Sequence, residues 1–252
     1  MVRQIDRAWA VADPLDDVLD FKNFDDVTPW LGERLALVRR APPAELLHSP
    51  LISVTAPVSF ESPLGPYSSP QWRKFALAAF VSDRACYAKP ADQADFPRLL
   101  SVLAAFPAGF RVWMCRIGLA FVPVGYVGWY PISRTIFDLL ETTPQTIAHR
   151  GVMVPLRTVD AVENYIYLFN YSIIPQLRRT AHSKTLLATM AGDLSVLPVA
   201  GAAAVTVSPE GARVAERFGM IRTGELFFEN EPEQVYAGRA ITLHPRRTAK
   251  PI

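Results

Sequence analysis

IIPQLRRTAHSKTLL, residues 173–187, joins two different periodicities. Upstream, residues 164–174 (NYIYLFNYSII) are dense in aromatic and isoleucine side chains and stop at Pro175, which has no N–H for a sheet ladder, so they read as a strand. Downstream, residues 181–191 read as a helix. The short connection carries Arg178, Arg179 and Thr180 and runs into a helix start of Ala181, His182, Ser183 and Lys184, cationic at both ends.

The chain beyond this joint continues the alternation. Residues 198–208 (PVAGAAAVTVS) read as a strand and 209–219 (PEGARVAERFG) as a helix, with Pro209 where the first turn tolerates it and Gly219 where a C-terminal cap needs positive φ. A hairpin, GELFFEN and QVYAGRAITL, and a basic tail at 244–252 close the sequence. Before the joint, QWRKFALAAFVSD and DFPRLLSVLAAF have helical spacing, with Asp95 placed to cap the second. FRVWMCRI, a turn near Gly118 and FVPVGYVGWYPI form two antiparallel strands, ISRTIFDLLE a helix, and GVMVPLR a further strand. Residues 1–70 hold nine of the 22 prolines; they read as an extension or cap in which PLDDVLDF and TPWLGERLALVRR form short helices between irregular stretches such as SFESPLGPYSSP. The domain division is thus 1–70, 71–243 and 244–252.

Composition excludes several functions. With 26 basic against 24 acidic side chains and no dense cationic stretch, the chain lacks the footprint of a nucleic-acid binder. Cys86 and Cys115 have no near neighbour, and His48, His149, His182 and His244 lack metal-ligand spacing, so neither a metal site nor a disulfide framework is expected. Reduced thiols and a start without a signal-like apolar run predict a cytoplasmic protein. The uncharged stretches 117–133 and 194–209 contain proline and glycine and are too short to span a bilayer, so no membrane span is expected.

Two motifs carry a resemblance. IIPQLRRTAHSKTLL is similar to the V-x-P-x-x-R lead-in and Q/R-x-x-G-x-G/A loop between the fourth strand and third helix of the GNAT (GCN5-related N-acetyltransferase) superfamily; Arg178 takes the first motif position, Ala181 and Ser183 the two glycine positions. SPEGARVAERFGM resembles, without gaps, the closing N-x-x-A-x-x-L-Y-E-K-x-G-F helix, with Ser208 at the Asn, Gly211 at the Ala, Ala215 at the Tyr and Gly219 at the Gly. The resemblance spans about residues 95–243 and implies a divergent member with an α/β (α+β) fold: a GNAT-like mixed, mostly antiparallel sheet flanked by helices, with an N-terminal extension. It implies acetyl-CoA or another acyl-CoA as cofactor. In such a loop, successive N–H groups at a helix start cradle a diphosphate with help from the helix dipole. The implied cofactor-binding residues are Ile173, Ile174, Arg178, Arg179, Thr180, Ala181, His182, Ser183 and Lys184. Ala181 and Ser183 substitute for glycine without strain only if their φ angles are negative.

The implied activity is N-acylation of an amine on a small molecule or peptide. An amide of the fourth strand, at Ile173 or a neighbour, polarises the thioester carbonyl. Ala215 stands where the family keeps its proton-donating tyrosine, and Ser208 is the nearest hydroxyl by frame, named as the catalytic candidate; its ordinary role is an N-cap ahead of Pro209. Glu163, Asn164 and His149 are open as the base. Tyr165, Tyr167, Phe169 and Tyr171 alternate at strand spacing and are expected on one face. The lost tyrosine and glycines leave two alternatives, a non-catalytic GNAT-like ligand- or partner-binding protein and a fold turned to other chemistry. Oligomeric state is open, a homo-oligomer included.

Overall fold

A computed structural model describes residues 13–21, 27–57, 69–87, 93, 95–228 and 231–239. The tail at 244–252, the end of the QVYAGRAITL strand and most of SFESPLGPYSSP lie outside the described residues.

Among the described residues seven strands form one sheet in the order β1-β2-β3-β4-β5-β7-β6. They are β1 (Ile52–Thr55), β2 (Phe110–Ile117), β3 (Ala120–Ile132), β4 (Asn164–Ile173), β5 (Val199–Thr206), β6 (Ile221–Phe228) and β7 (Glu231–Gly238). Only β4 and β5 pair in parallel, so the sheet is mixed and mostly antiparallel, as expected. The helices are α1 (Val27–Arg40), α2 (Pro43–His48), α3 (Pro70–Cys86), α4 (Phe96–Ala105), α5 (Arg134–Thr142), α6 (Ala181–Ser195) and α7 (Pro209–Arg217). The Asp95 side chain accepts from the Arg98 N–H, and Gly118 and Gly219 take positive φ, satisfying the punctuation visible in the sequence.

Two expected elements do not form. GVMVPLR forms no strand: Arg150–Val152 is a 3-10 turn, and the Leu156 N–H is spent on the Pro131 carbonyl instead of a ladder. PLDDVLDF makes isolated turns, Asp16 to Asp13 and Val18 to Leu15, since its closely spaced aspartates bond locally (the Asp13 carboxylate accepts from the Leu15 N–H).

Side-chain contacts assign the helices to faces. Tyr126 and Asn170 both bond Asp83, placing α3 on one face. On the other, Leu186 of α6 lies against Gly125, which stands opposite Ile173. β4 carries an extra residue: Gly128 pairs with Asn170 but Trp129 with Leu168, leaving Phe169 as a bulge. This splits the aromatic set. Tyr165, Tyr167 and Phe169 stack on Phe137, Tyr130 and Phe110, while Tyr171 points to the opposite face and donates to the Ser183 carbonyl of α6. Gly201 faces Phe137 of α5, and Thr206, five residues on, faces Gly211 of α7, so α6 and α7 share the face away from α3.

β1 and the first two helices come from the stretch that the sequence sets apart as an extension. β1 is the sheet edge beside β2. α2 is tied in by Ser49 Oγ, which accepts from the Arg116 N–H, and by Glu45, which accepts from the Gly118 N–H.

A Cβ at Gly125 would sit 2.7 Å from the Ser172 backbone oxygen and 2.9 Å from Leu186 Cδ2. Gly125→Ala is therefore expected to lower unfolding free energy by about 1–3 kcal/mol in urea denaturation, since backbone blocks the added methyl.

Candidate functional site

The parallel ladder begins at Asn164–Val199 and ends at Leu168–Ala204, yet β4 continues to Ile173 and β5 to Thr206. Beyond that point the strands part. Each is held on its other side, β4 by β3 as far as Ile173–Gly125 and β5 by β7 as far as Thr206–Gln234, so the gap does not collapse. It opens a cleft of about 900 Å³ bounded by β4, β5, the loop after β4, the start of α6, α7 and the end of α3. That size suits a large cofactor rather than an ion.

Backbone polarity is fixed by the antiparallel pairing. The Ile174 N–H donates to the Val124 carbonyl on β3. Alternation then turns the Ile173 N–H and C=O away from β3, toward the gap that β5 has left. Ile173 lines the cleft; Ile174, fully buried and bonded to β3, does not.

After a 3-10 turn at Pro175–Leu177, Arg179 adopts φ 63° and the chain enters α6. Ala181 and Ser183 lie within the helix, and Arg179 is the single positive-φ residue other than glycine among the described residues. The glycine positions therefore demand no glycine; the left-handed residue is Arg179 instead. Thr180, the N-cap, spends its hydroxyl on the Leu177 carbonyl, and no side chain caps the helix. The N–H groups of Ala181, His182 and Ser183 thus lack intrahelical partners, the arrangement that binds anions.

The side chains divide by role. Ser183, Arg179 and Lys184 line the cleft, as do Arg213 and Arg217, one turn apart on α7. Arg178 also lines it, but its guanidinium bonds the Cys86 carbonyl at 2.8 Å and the Ile173 carbonyl at 3.4 Å, latching the loop to α3. The His182 ring reaches Leu46 O of α2 at 3.2 Å, so only the backbone of His182 is presented at the helix start. Thr180 and Ala181 likewise are not lining residues, and their contribution is main-chain. Five cations against one lining carboxylate, Glu210, make the mouth electropositive.

Ser208 lines the cleft and caps α7, its Oγ accepting from the Gly211 N–H at 3.1 Å. Ala215 is buried in the wall. Tyr171 also lines the cleft; burial, opposed by nearby Arg217, pushes its phenol up to about 12, so it stays protonated at neutral pH. Burial raises the Cys86 thiol too, making it a poor nucleophile. Glu163 and His149 do not line the cleft: Glu163 accepts from Tyr165 Oη beside the start of β4, at the closed end of the ladder. Asn164 bonds there to Asp160.

Asn170 Oδ1 and Thr206 Oγ1 are buried without hydrogen-bond partners, one on each strand flanking the gap. An uncapped helix start and clustered cations fit a ligand that is anionic at one end, and the unpaired polar atoms offer further hydrogen bonds deeper in the cleft. Arg213, Arg217, Asn170, Thr206, Tyr171 and Cys86 are site residues that the sequence reading did not assign; the i,i+4 arginines were visible, while the others depend on the bulge and the parting of strands. Among the described residues no cluster of three or more His, Cys, Asp or Glu side chains gathers, and no helix is long and apolar enough to cross a membrane.

No family model matches the chain, and no curated protein matches it. Solved structures are similar at low identity. The loading GNATL domain of CurA from Lyngbya majuscula matches at 15% identity and TM-score 0.46, over 65% of this chain and 92% of that one. The GphF GNAT-like decarboxylase in complex with isobutyryl-CoA matches at 14% and 0.46, over 66% and 95%. Arabidopsis thaliana NAA60 in complex with a bisubstrate analogue matches at 9% and 0.46, over 75% and 97%.

Arg179→Gly removes the left-handed penalty and is expected to stabilise the ligand-free protein by about 0.5–1 kcal/mol, measured by thermal denaturation. Ser208→Ala is expected to cost about 1 kcal/mol in the same assay through the lost cap.

Proposed function

We propose that this chain is a divergent member of the GNAT superfamily that binds acetyl-CoA or another acyl-CoA and transfers the acyl group to an amine of a small molecule or peptide. The single observation that carries this reading is the cleft opened where β4 and β5 part, with the α6 amides and five cations at one end and the Ile173 amide along its wall. In this reading residues 71–243 form the acyltransferase domain, to which the 1–70 extension lends its edge strand, and 244–252 a tail.

The N–H groups of Ala181, His182 and Ser183, with Arg179, Lys184, Arg213 and Arg217, hold the phosphates. Thr206, whose hydroxyl is unpaired on β5, answers a polar group of the cofactor within the cleft. When bound, the cofactor supplies an activated thioester. The Ile173 N–H stabilises charge developing on the carbonyl oxygen, a donor fixed in advance by the β3–β4 ladder. Ser208 keeps its own hydroxyl hydrogen while accepting from Gly211 and would donate a hydrogen bond to the departing thiolate in place of the absent tyrosine, the proton that neutralises the thiolate coming from the attacking amine.

The second reading is a CoA-binding protein without catalysis. Ala215 in the wall, and the commitment of Ser208 to its cap, favour it.

Calorimetry with CoA tests the binding claim: saturable binding is expected, with stabilisation of about 2.7 kcal/mol at a hundred times the Kd. Arg213→Gln/Arg217→Gln is expected to weaken CoA binding about tenfold or more and to flatten its dependence on salt. Absence of saturable binding at millimolar CoA defeats both readings. Thiol release from acetyl-CoA with a panel of amines separates them, because the non-catalytic protein releases none.

A further inference from the structure

On the α3 side of the sheet, opposite α6 and α7, lies a carboxylate that the chemistry above does not use. Asp83 is wholly shielded from solvent, a costly place for a charge unless it is paired. Two donors from the sheet reach its Oδ1: Tyr126 Oη at 3.3 Å and Asn170 Nδ2 at 2.9 Å. A carboxylate only accepts, so the Asn170 amide must turn its NH2 toward Asp83. Its carbonyl is thereby turned away, and Oδ1 is buried with no partner.

Asn170 also lines the cleft. The α6 amides and the α7 arginines stand on one face of the sheet, whereas Asn170 projects toward α3 on the other, where Cys86 at the end of α3 lines the cleft and Arg178 is already committed to its carbonyl. A ligand group meeting Asn170 therefore stands on the α3 face, opposite the α6 amides and the α7 arginines. With its NH2 engaged by Asp83, the Asn170 amide offers only its carbonyl, which accepts from an N–H donor and repels acceptors. Leaving it unpaired is costly, so an arriving N–H satisfies a deficit that the protein itself leaves open.

We infer that Asn170, held by Asp83, is the acceptor-recognition residue: its Oδ1 receives an N–H of the primary amine that is to be acylated, and Asp83 is a positioning residue behind it. This rests on the acyltransferase reading. A single hydrogen bond to Oδ1 leaves the amine nitrogen its lone pair for attack.

Calorimetric titration of n-butylamine, benzylamine and trialanine into CoA-saturated protein tests it, CoA being inert to acyl transfer. At least one amine binds wild type, and Asn170→Leu weakens that binding about tenfold or more, the loss of one hydrogen bond of about 1.4 kcal/mol. Asp83→Asn, which keeps an acceptor for Tyr126, weakens amine binding as well, and n-butyltrimethylammonium, having no N–H, binds neither protein. CoA affinity stays within about twofold in both variants, a split that general loss of packing does not produce. The inference is overturned if both variants bind amine as wild type does, if amine and CoA affinity fall together (which assigns the N–H to the cofactor), or if no amine binds CoA-saturated wild type. Failure of CoA itself to bind wild type removes the acyltransferase reading and this inference with it, so the two failures are told apart by the first titration.

Discussion

Everything at the site follows from a ladder that stops. β4 and β5 pair from Asn164–Val199 to Leu168–Ala204 and no further, although both strands continue. Unpaired strand edges are costly and ordinarily close up or recruit another strand. Here closure is prevented because the outer neighbours β3 and β7 hold each strand to its end, and because the extra residue at Phe169 bends β4 as the pairing ceases. The outcome is a slot through the middle of a sheet, lined by main-chain groups whose direction is set by the neighbouring ladders rather than by loops.

The bulge has a second effect. It exchanges the faces of β4 midway, so the aromatic residues up to and including Phe169 pack with Phe110, Tyr130 and Phe137, while Tyr171 reaches α6 and Asn170 reaches α3. One inserted residue thus delivers polar side chains to both sides of the slot from a strand that otherwise reads as uniformly apolar.

The helices and strands after residue 95 were mostly legible, because their signals are local: the Asp95 and Ser208 caps, Pro209, Gly118 and Gly219 each act within one turn. The loop after Pro175 was legible for the same reason. What escaped depends on distant partners. Whether Phe169 is a bulge is decided by its register against Gly128, not by its own identity. GVMVPLR has strand composition but joins no ladder, and Leu156 bonds Pro131 instead. Glu163 and His149 had suitable chemistry and stand away from the slot. Asp83 lay unremarked inside a helical stretch, since a sequence does not reveal which helix residue will be sealed against a sheet.

The loop that opens the slot is gripped from outside as well. Gln176 donates to the Val38 and Arg39 carbonyls at the end of α1, and the His182 ring meets the Leu46 carbonyl of α2, one contact on each side of the left-handed Arg179. An occupant that reshapes this hinge must therefore do work on α1 and α2. Linked equilibria are reciprocal. Where an occupant does so, whatever pulls on those two helices alters the occupant's hold by the same factor, and the turn between β4 and α6 becomes a shared handle between α1, α2 and the slot.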